Sequence, residues 1–313
     1  MISKWIRILA AVFTATALSA CGGDDDDHPP PTPNIVGTAQ ADARFSILVE
    51  AVTAAGLGDA LSQPGPLTVF APTNDAFAAL LAELGLTKAQ LLADKPLLTA
   101  VLQYHVLGSR VAKAQVPLGK AITPLAGGIF KVDSVGSDLV VTDGRNRTAK
   151  ITATDVAASN GVVHVIDKVL LPPNRNIVQT AQALPQFSIL VEAVVAADLV
   201  GALSGAGPLT VFAPTDTAFA ALLTELGTTK AALLANKPLL TQVLTYHVLN
   251  SRVLKADVPV GSAITTLQGG SFSVDATLAI TDARNRKAAI TGTDVLTSNG
   301  VVHVIDKVIL PAP

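Results

Sequence analysis

The sequence predicts two α+β domains in tandem, and three observations carry that prediction. The chain repeats itself: Phe45-Ser46-Ile47-Leu48-Val49-Glu50-Ala51-Val52 recurs unchanged from Phe187 to Val194, and Leu67 to Thr73 recurs from Leu209 to Thr215, both at an offset of 142 residues. Early in each copy the apolar residues have helical spacing, as at Phe45, Leu48, Val49 and Val52. Late in each copy the pattern is that of strands. Val162 to Leu170 is β-branched and almost continuously apolar, as expected of a strand covered on both faces. Helices followed by a sheet make each copy α+β. A period this long marks tandem domains and not the units of a solenoid. With 313 residues, half of them hydrophobic, the chain has enough apolar material for two separate cores.

The elements follow in order. Asn34-Ile35-Val36 opens the first copy and Asn176-Ile177-Val178 the second. Leu67 to Ala71 is a short β-rich run stopped by Pro72. Thr73 is suited to cap a helix carrying Phe77, Leu80, Leu81 and Leu84 and ending near Gly85. Its counterpart Thr215 is followed by Asp216, whose charge suits the first turn. Thr87 caps a further short helix, and Pro96 opens the next, with Leu97, Leu98, Val101 and Leu102 apolar. After Tyr104 strands take over, with turns at Gly127-Gly128 and Asp143-Gly144. Past Asp133 the offset falls to 139, so the second copy lacks three residues in one loop. The domains are expected at 34–171 and 176–313. The linker between them, 172–175, is Pro172-Pro173-Asn174-Arg175, short and Pro-rich enough to limit how far they swing apart.

Ahead of the repeats lies an address. Lys4 and Arg7 precede a mostly apolar run from Ile8 to Leu18, the length of a signal-peptide core and too short to span a bilayer. Residues 1–20 are therefore expected to be a signal peptide. Leu18-Ser19-Ala20-Cys21 resembles the bacterial lipobox, which implies cleavage before Cys21 and lipidation of its sulfur. Two or more acyl chains anchor a protein stably. Residues 21–33 read as a tether: Gly22-Gly23, then the mutually repelling Asp24 to Asp27, then a stiff Pro29-Pro30-Pro31-Thr32-Pro33. In lipoproteins an Asp directly after the cysteine favours the inner membrane. Here that residue is Gly22, so the resemblance implies the periplasmic face or the surface of an outer membrane.

Composition narrows the function. Removing Lys4 and Arg7 from 22 basic residues, and Asp24 to Asp27 from 24 acidic ones, leaves the two signs equal. No basic surplus is present to neutralise phosphates, so no nucleic-acid partner is expected. Cys21 is the one cysteine, which excludes an internal disulfide and a thiolate metal cluster. No Gly-x-Ser-x-Gly elbow, Gly-x-Gly-x-x-Gly or P-loop pattern occurs. The histidines show no metal-ligand spacing. No catalytic residue, metal or cofactor is expected. Every aromatic residue after the signal segment has a twin: Phe45, Phe70, Phe77, Phe130 and Tyr104 pair with Phe187, Phe212, Phe219, Phe272 and Tyr246. Twinned aromatics are what a fold requires in each copy. His105 and His164 likewise pair with His247 and His303 and are expected to be architectural.

Three blocks occur in order, twice. They are Thr68-Val69-Phe70-Ala71-Pro72-Thr73-Asn74-Asp75-Ala76-Phe77, then Tyr104-His105, then Asn160-Gly161-Val162-Val163-His164-Val165-Ile166-Asp167. Together they resemble the signature blocks of the fasciclin (FAS1) family, and the likeness covers essentially everything from Asn34 onward. The resemblance implies a β-sandwich-like wedge with packed helices, and a role in adhesion or extracellular interaction without catalysis. Some members use an Asp-Ile pair ahead of the last block as an integrin ligand; the matching pairs here are Asp155-Val156 and Asp294-Val295. A few fasciclin-like proteins bind carotenoids. The leading expectation is an envelope-anchored adhesion or interaction module whose partner is an envelope, matrix or host-surface component. A carrier of an apolar ligand such as a carotenoid or lipid is the alternative, and hydrolysis a third reading. Candidate contact residues are those two pairs and the turns Arg145-Asn146-Arg147 and Arg284-Asn285-Arg286, which would suit a carboxylate or phosphate group.

Overall fold

In a computed structural model, residues 31–313 are described; the signal segment, Cys21 and most of the tether lie outside them. The first copy begins with helix α1 (Ile35–Gln40), whose N-cap Asn34 accepts from the Gly37 amide. Helices α2 (Ser46–Ala55) and α3 (Gly58–Ser62) follow, then strand β1 (Leu67–Pro72). Helix α4 (Asn74–Leu84) is capped by the Thr73 side chain and stopped by left-handed Gly85 at φ 64°. Helix α5 (Lys88–Ala93) carries a reciprocal capping box between Thr87 and Gln90. Helix α6 (Lys95–Tyr104) starts with Pro96 in its first turn, where a missing N–H costs nothing. Strands β2 (Val106–Leu107), β3 (Lys131–Val135), β4 (Asp138–Thr142), β5 (Thr148–Ala158) and β6 (Gly161–Ile166) complete the copy.

The second copy repeats this plan. Its helices are α7 (Ile177–Gln182), α8 (Ser188–Ala196), α9 (Val200–Ser204), α10 (Asp216–Leu226), α11 (Lys230–Ala235) and α12 (Lys237–Tyr246). Its strands are β7 (Leu209–Pro214), β8 (Val248–Leu249), β9 (Ala263–Thr265), β10 (Ser271–Val274), β11 (Ala279–Thr281), β12 (Lys287–Thr297) and β13 (Gly300–Ile305). The three missing residues fall in the β10–β11 hairpin, which is shorter than β3–β4.

The first sheet has the order β2-β1-β6-β5-β4-β3, with β1 and β6 parallel and the other pairs antiparallel. Four strand spacings separate β1 from β3, about 19 Å in a flat sheet. Yet the ring of Phe70 on β1 lies 5.1 Å from that of Phe130, next to β3, edge to face. The sheet must therefore curl on itself. Register shifts in β5, between Ile151 and Ala153 and between Ala153 and Val156, supply the bend. The curl makes two cores. Val69 and Ala71 of β1 and Val163 and Val165 of β6 face the helices, against Phe77, Leu98 and Leu102. Phe70 and Ile166 face the inside of the curl, against Phe130, Val132 and Val141. Both faces of β1 and β6 are covered, which is why those strands are apolar apart from Thr68 and His164, whose polar atoms bond to backbone. The second copy has the same pair of cores. Thr32–Pro313 nevertheless forms one compact unit. No helix among the described residues is long and apolar enough to cross a membrane.

Candidate functional site

The motif side chains are internal. Tyr104, the last residue of α6, is fully buried and donates its hydroxyl to the Ile129 carbonyl. Burial pushes its pKa up, as it does that of Tyr246. His105 follows at the helix C-cap. Its Nδ1 lies 2.7 Å from the Val101 carbonyl and its Nε2 accepts from the Leu170 amide at 2.9 Å. That pattern fixes a neutral ring protonated on Nδ1. His247 repeats it with Val243 and Ile309. Burial holds both rings at a pKa of about 4. His164, beside Phe70 across the β1–β6 ladder, meets the Val111 carbonyl through Nε2 at 2.9 Å and accepts from the Asp155 amide on Nδ1 at 3.3 Å. His303 does the same with Val253 and Asp294. An imidazole with both nitrogens held by backbone has no lone pair for a metal or a substrate proton. Among the described residues no three His, Cys, Asp or Glu side chains gather as a metal site.

The Arg-Asn-Arg turns divide by residue. Asp143 is buried and accepts from the amides of Arg145, Arg147 and Leu171, tying the turn to the segment after β6. Arg147 reaches inward to the Val169 carbonyl and lies 3.5 Å from Glu83. Arg286 makes the same contacts with Val308 and Glu225. Neither Arg147 nor Arg286 is thus a free surface lip, because each guanidinium clamps its own domain. Among the described residues the guanidiniums of Arg145 and Arg284 donate only through Nε, to the Pro172 and Pro311 carbonyls. Asn146, left-handed at φ 61°, pairs with the Leu296 backbone in both directions, at 3.0 and 2.6 Å. Asn285 is left-handed too, at φ 58°, and exposed.

The Asp-Val pairs also differ. Both aspartates are left-handed bulge residues, at φ 59°. Asp155 and Val156 are exposed. Asp294, expected at a contact surface, is instead 4% exposed and sits 2.8 Å from Lys131 of the first domain. It is unavailable to an outside partner because it closes a buried ion pair between the domains. Burial works against the Lys131 charge, but bonds to Asp294 and Asp133 outweigh it and raise its pKa. Val295 is half-buried beside it. Around this pair Ile129 of the first domain packs with Leu254, Leu296 and Val301 of the second, all nearly inaccessible. The repeat breaks here. The twins of Ile129 and Lys131 are Ser271 and Ser273, and the twins of Leu254 and Leu296 are Ala112 and Ala157. At these four positions each repeat carries the large or charged residue only on the face it uses. No family motif marks this interface, although the mismatched twins are a readable signal of it in the sequence.

Cavities and clefts are also present among the described residues. An apolar cavity between α1–α3 and the sheet of the first domain measures about 140 Å³; its second-domain counterpart measures about 30 Å³. A larger cleft of about 580 Å³, with a mixed polar and apolar lining, lies at the junction between residues of both domains.

Paired cores, backbone-locked histidines and a fixed junction define a tandem module whose accessible chemistry is on its surface. The family profile of the fasciclin domain matches residues 43–172 and again 185–311, and the chain belongs to the fasciclin family. It is 32% identical to transforming growth factor-beta-induced protein ig-h3 of Sus scrofa over 249 residues, 79% of this chain and 35% of that protein. It is 48% identical to protein sll1483 of Synechocystis over 144 residues, 44% of this chain and 73% of that one. The chain thus spans about a third of ig-h3. Among solved structures, a FAS1 domain pair from the insect cell adhesion molecule fasciclin I aligns with 88% of this chain and 95% of its own at 20% identity, with a TM-score of 0.43.

Proposed function

We propose that this chain is a cell-envelope adhesion or interaction module, held to a membrane by lipid on Cys21 and displaying two fasciclin domains as one body. Fasciclin membership supports the class of role. The observation that carries the reading is the state of the motif side chains: His105, His164, His247 and His303 each have both ring nitrogens bonded to backbone, which leaves function to the surface. Asn146, Asp155, Val156, Arg284 and Asn285 are the exposed sequence candidates, and of these Asn146 is engaged by the Leu296 backbone. The carrier reading has a specific feature behind it in the apolar cavity of the first domain. At about 140 Å³ that cavity is well below the roughly 300–1,000 Å³ of sites for drug-sized ligands, so a carotenoid would have to open the helical layer.

The test compares cells bearing the intact chain with cells bearing Cys21→Ser. The intact chain is expected in the detergent phase and to raise attachment to envelope or matrix material. Cys21→Ser should be released or left uncleaved, with attachment lost. Identical partitioning of the two would remove the lipid anchor. Unchanged attachment with and without the chain, combined with a stoichiometric pigment or lipid on the purified protein, would replace adhesion by carriage.

A further inference from the structure

We infer that the junction cleft is a binding site for an oxyanion-bearing, hydroxyl-rich ligand, an acidic saccharide, held by Arg145 and Arg175. The inference deepens the extracellular-interaction reading by naming a ligand class. The cleft of about 580 Å³ falls within the range of small-molecule sites, and among the described residues no acidic one lines it. Arg145 enters from the turn of the first domain and Arg175 from the linker. The Arg145 guanidinium is half-buried and donates only Nε, to the Pro172 carbonyl; among the described residues its two terminal nitrogens have no acceptor. Arg175 is fixed by its main chain, whose carbonyl accepts from Ser298 of the second domain, while its side chain is exposed.

The electrostatics suit an incoming anion. Burial lowers the Arg145 pKa, and the charges of Arg147 and Arg175 act in the same direction. The acids that oppose them are engaged elsewhere. Asp143 receives three backbone amides, and Glu83 lies against Arg147. An arginine remains charged under these pressures, so the relief comes from a ligand oxyanion bridging the two guanidiniums. The rest of the lining is amide and hydroxyl, from Asn174, Thr180 and Gln186, over an apolar floor that includes Leu184. Amides and hydroxyls of this kind match sugar hydroxyls. Two arginines without a wider basic field match one or two acidic groups and not a nucleic acid.

The cleft is also preorganised. Its walls are joined by the two Asn146–Leu296 bonds and the Lys131–Asp294 pair, so binding need not order the junction. It is not a repeated feature: the counterpart of Arg175 in the first copy is Pro33. The site therefore belongs to the tandem and to neither domain alone.

Calorimetric titration of the intact two-domain chain with a short oligouronate, its neutral counterpart, inorganic phosphate and inorganic sulfate, at fixed ionic strength, tests this. The oligouronate is expected to bind and the neutral sugar is not. Arg145→Gln with Arg175→Gln should weaken binding about tenfold or more, while Arg284→Gln should leave it unchanged. Thermal melting of each variant confirms that it is folded. Equal affinity in the double variant, or no oligouronate binding, would overturn the site. Binding of phosphate or sulfate without the oligouronate would overturn the saccharide assignment. Adhesion through the exposed faces would survive any of these failures, since it is read by attachment and not by this titration.

Discussion

The buried histidines make stability depend on acidity. His105 and His247 have an ordinary pKa of 6.5 when unfolded and about 4 when folded, because burial disfavours the imidazolium. As the pH falls below 6.5 the unfolded chain takes up protons that the folded chain refuses. Stability is therefore full above that value and is lost progressively down to about 4, below which these rings add no further slope. A depression of this size corresponds to about 3 kcal/mol per ring, and two rings approach the whole stability of an ordinary domain. The His303 pKa is lowered by burial as well and acts with the same sign. Urea midpoints measured from pH 7.5 to 4.5 should fall steeply. The double variant His105→Asn, His247→Asn should start less stable and show a flatter profile. An unchanged slope in that variant would mean that other groups control acid unfolding. That these rings come in matched pairs was legible in the sequence. What twinning did not reveal is the direction of each ring, with Nδ1 donating at His105 and Nε2 at His164, because that depends on which carbonyl the chain brings close.

Elements were legible wherever local chemistry decides them. Thr73, Thr87 and Pro96 start helices, and Gly85 stops one, because caps and fixed φ angles act within a single turn. The curl of the sheet was not readable from any such rule, since it needs Phe70 and Phe130, sixty residues apart, to meet. Asn160 shows how distant elements are joined. Its Oδ1 accepts from Ile35 at the start of α1, and its Nδ2 donates to the Leu61 and Gln63 carbonyls at the end of α3. Gly65 sits so close that a Cβ there would strike the Asn160 carbonyl oxygen. Asn299 and Gly207 repeat the arrangement. One side chain thus closes the helical layer onto the end of β6. Asn160→Ala strands the Ile35 amide and two carbonyls, and should cost about 2–4 kcal/mol in urea unfolding. Asn160→Asp keeps the acceptor but turns a carboxylate toward two carbonyls, and should be no better. A loss under about 0.5 kcal/mol in both would show that water replaces the side chain without penalty.

At the scale of the molecule, the question is whether two domains behave as two. Composition and the repeat point to two cores, and the structure contains them, but a short linker alone only limits motion. The junction goes further, because its contacts are unlike anything on the free faces. Lys131 and Asp294 form a buried pair, Ile129 packs on Leu254 and Leu296, and Asn146 extends the backbone pairing of Leu296. Where the same positions face solvent, the chain has Ser271, Ser273, Ala112 and Ala157. The substitutions also leave a further copy little to stack on: one outer face lacks the isoleucine and the lysine and the other lacks both leucines, although Asp155 and Asn285 are retained. The intact chain should therefore melt in one cooperative calorimetric transition. Ile129→Ser with Lys131→Ser gives the first domain the residues that its twin already tolerates on the surface, so each fold should survive. Loss of the lysine leaves Asp294 buried without its partner, at a cost of about 3–5 kcal/mol, and loss of the isoleucine adds to it. Those costs fall on the junction, so the transition should split in two and small-angle scattering should report a broader range of interdomain separations. A single unshifted transition in the double variant would show that the linker, and not these contacts, couples the domains.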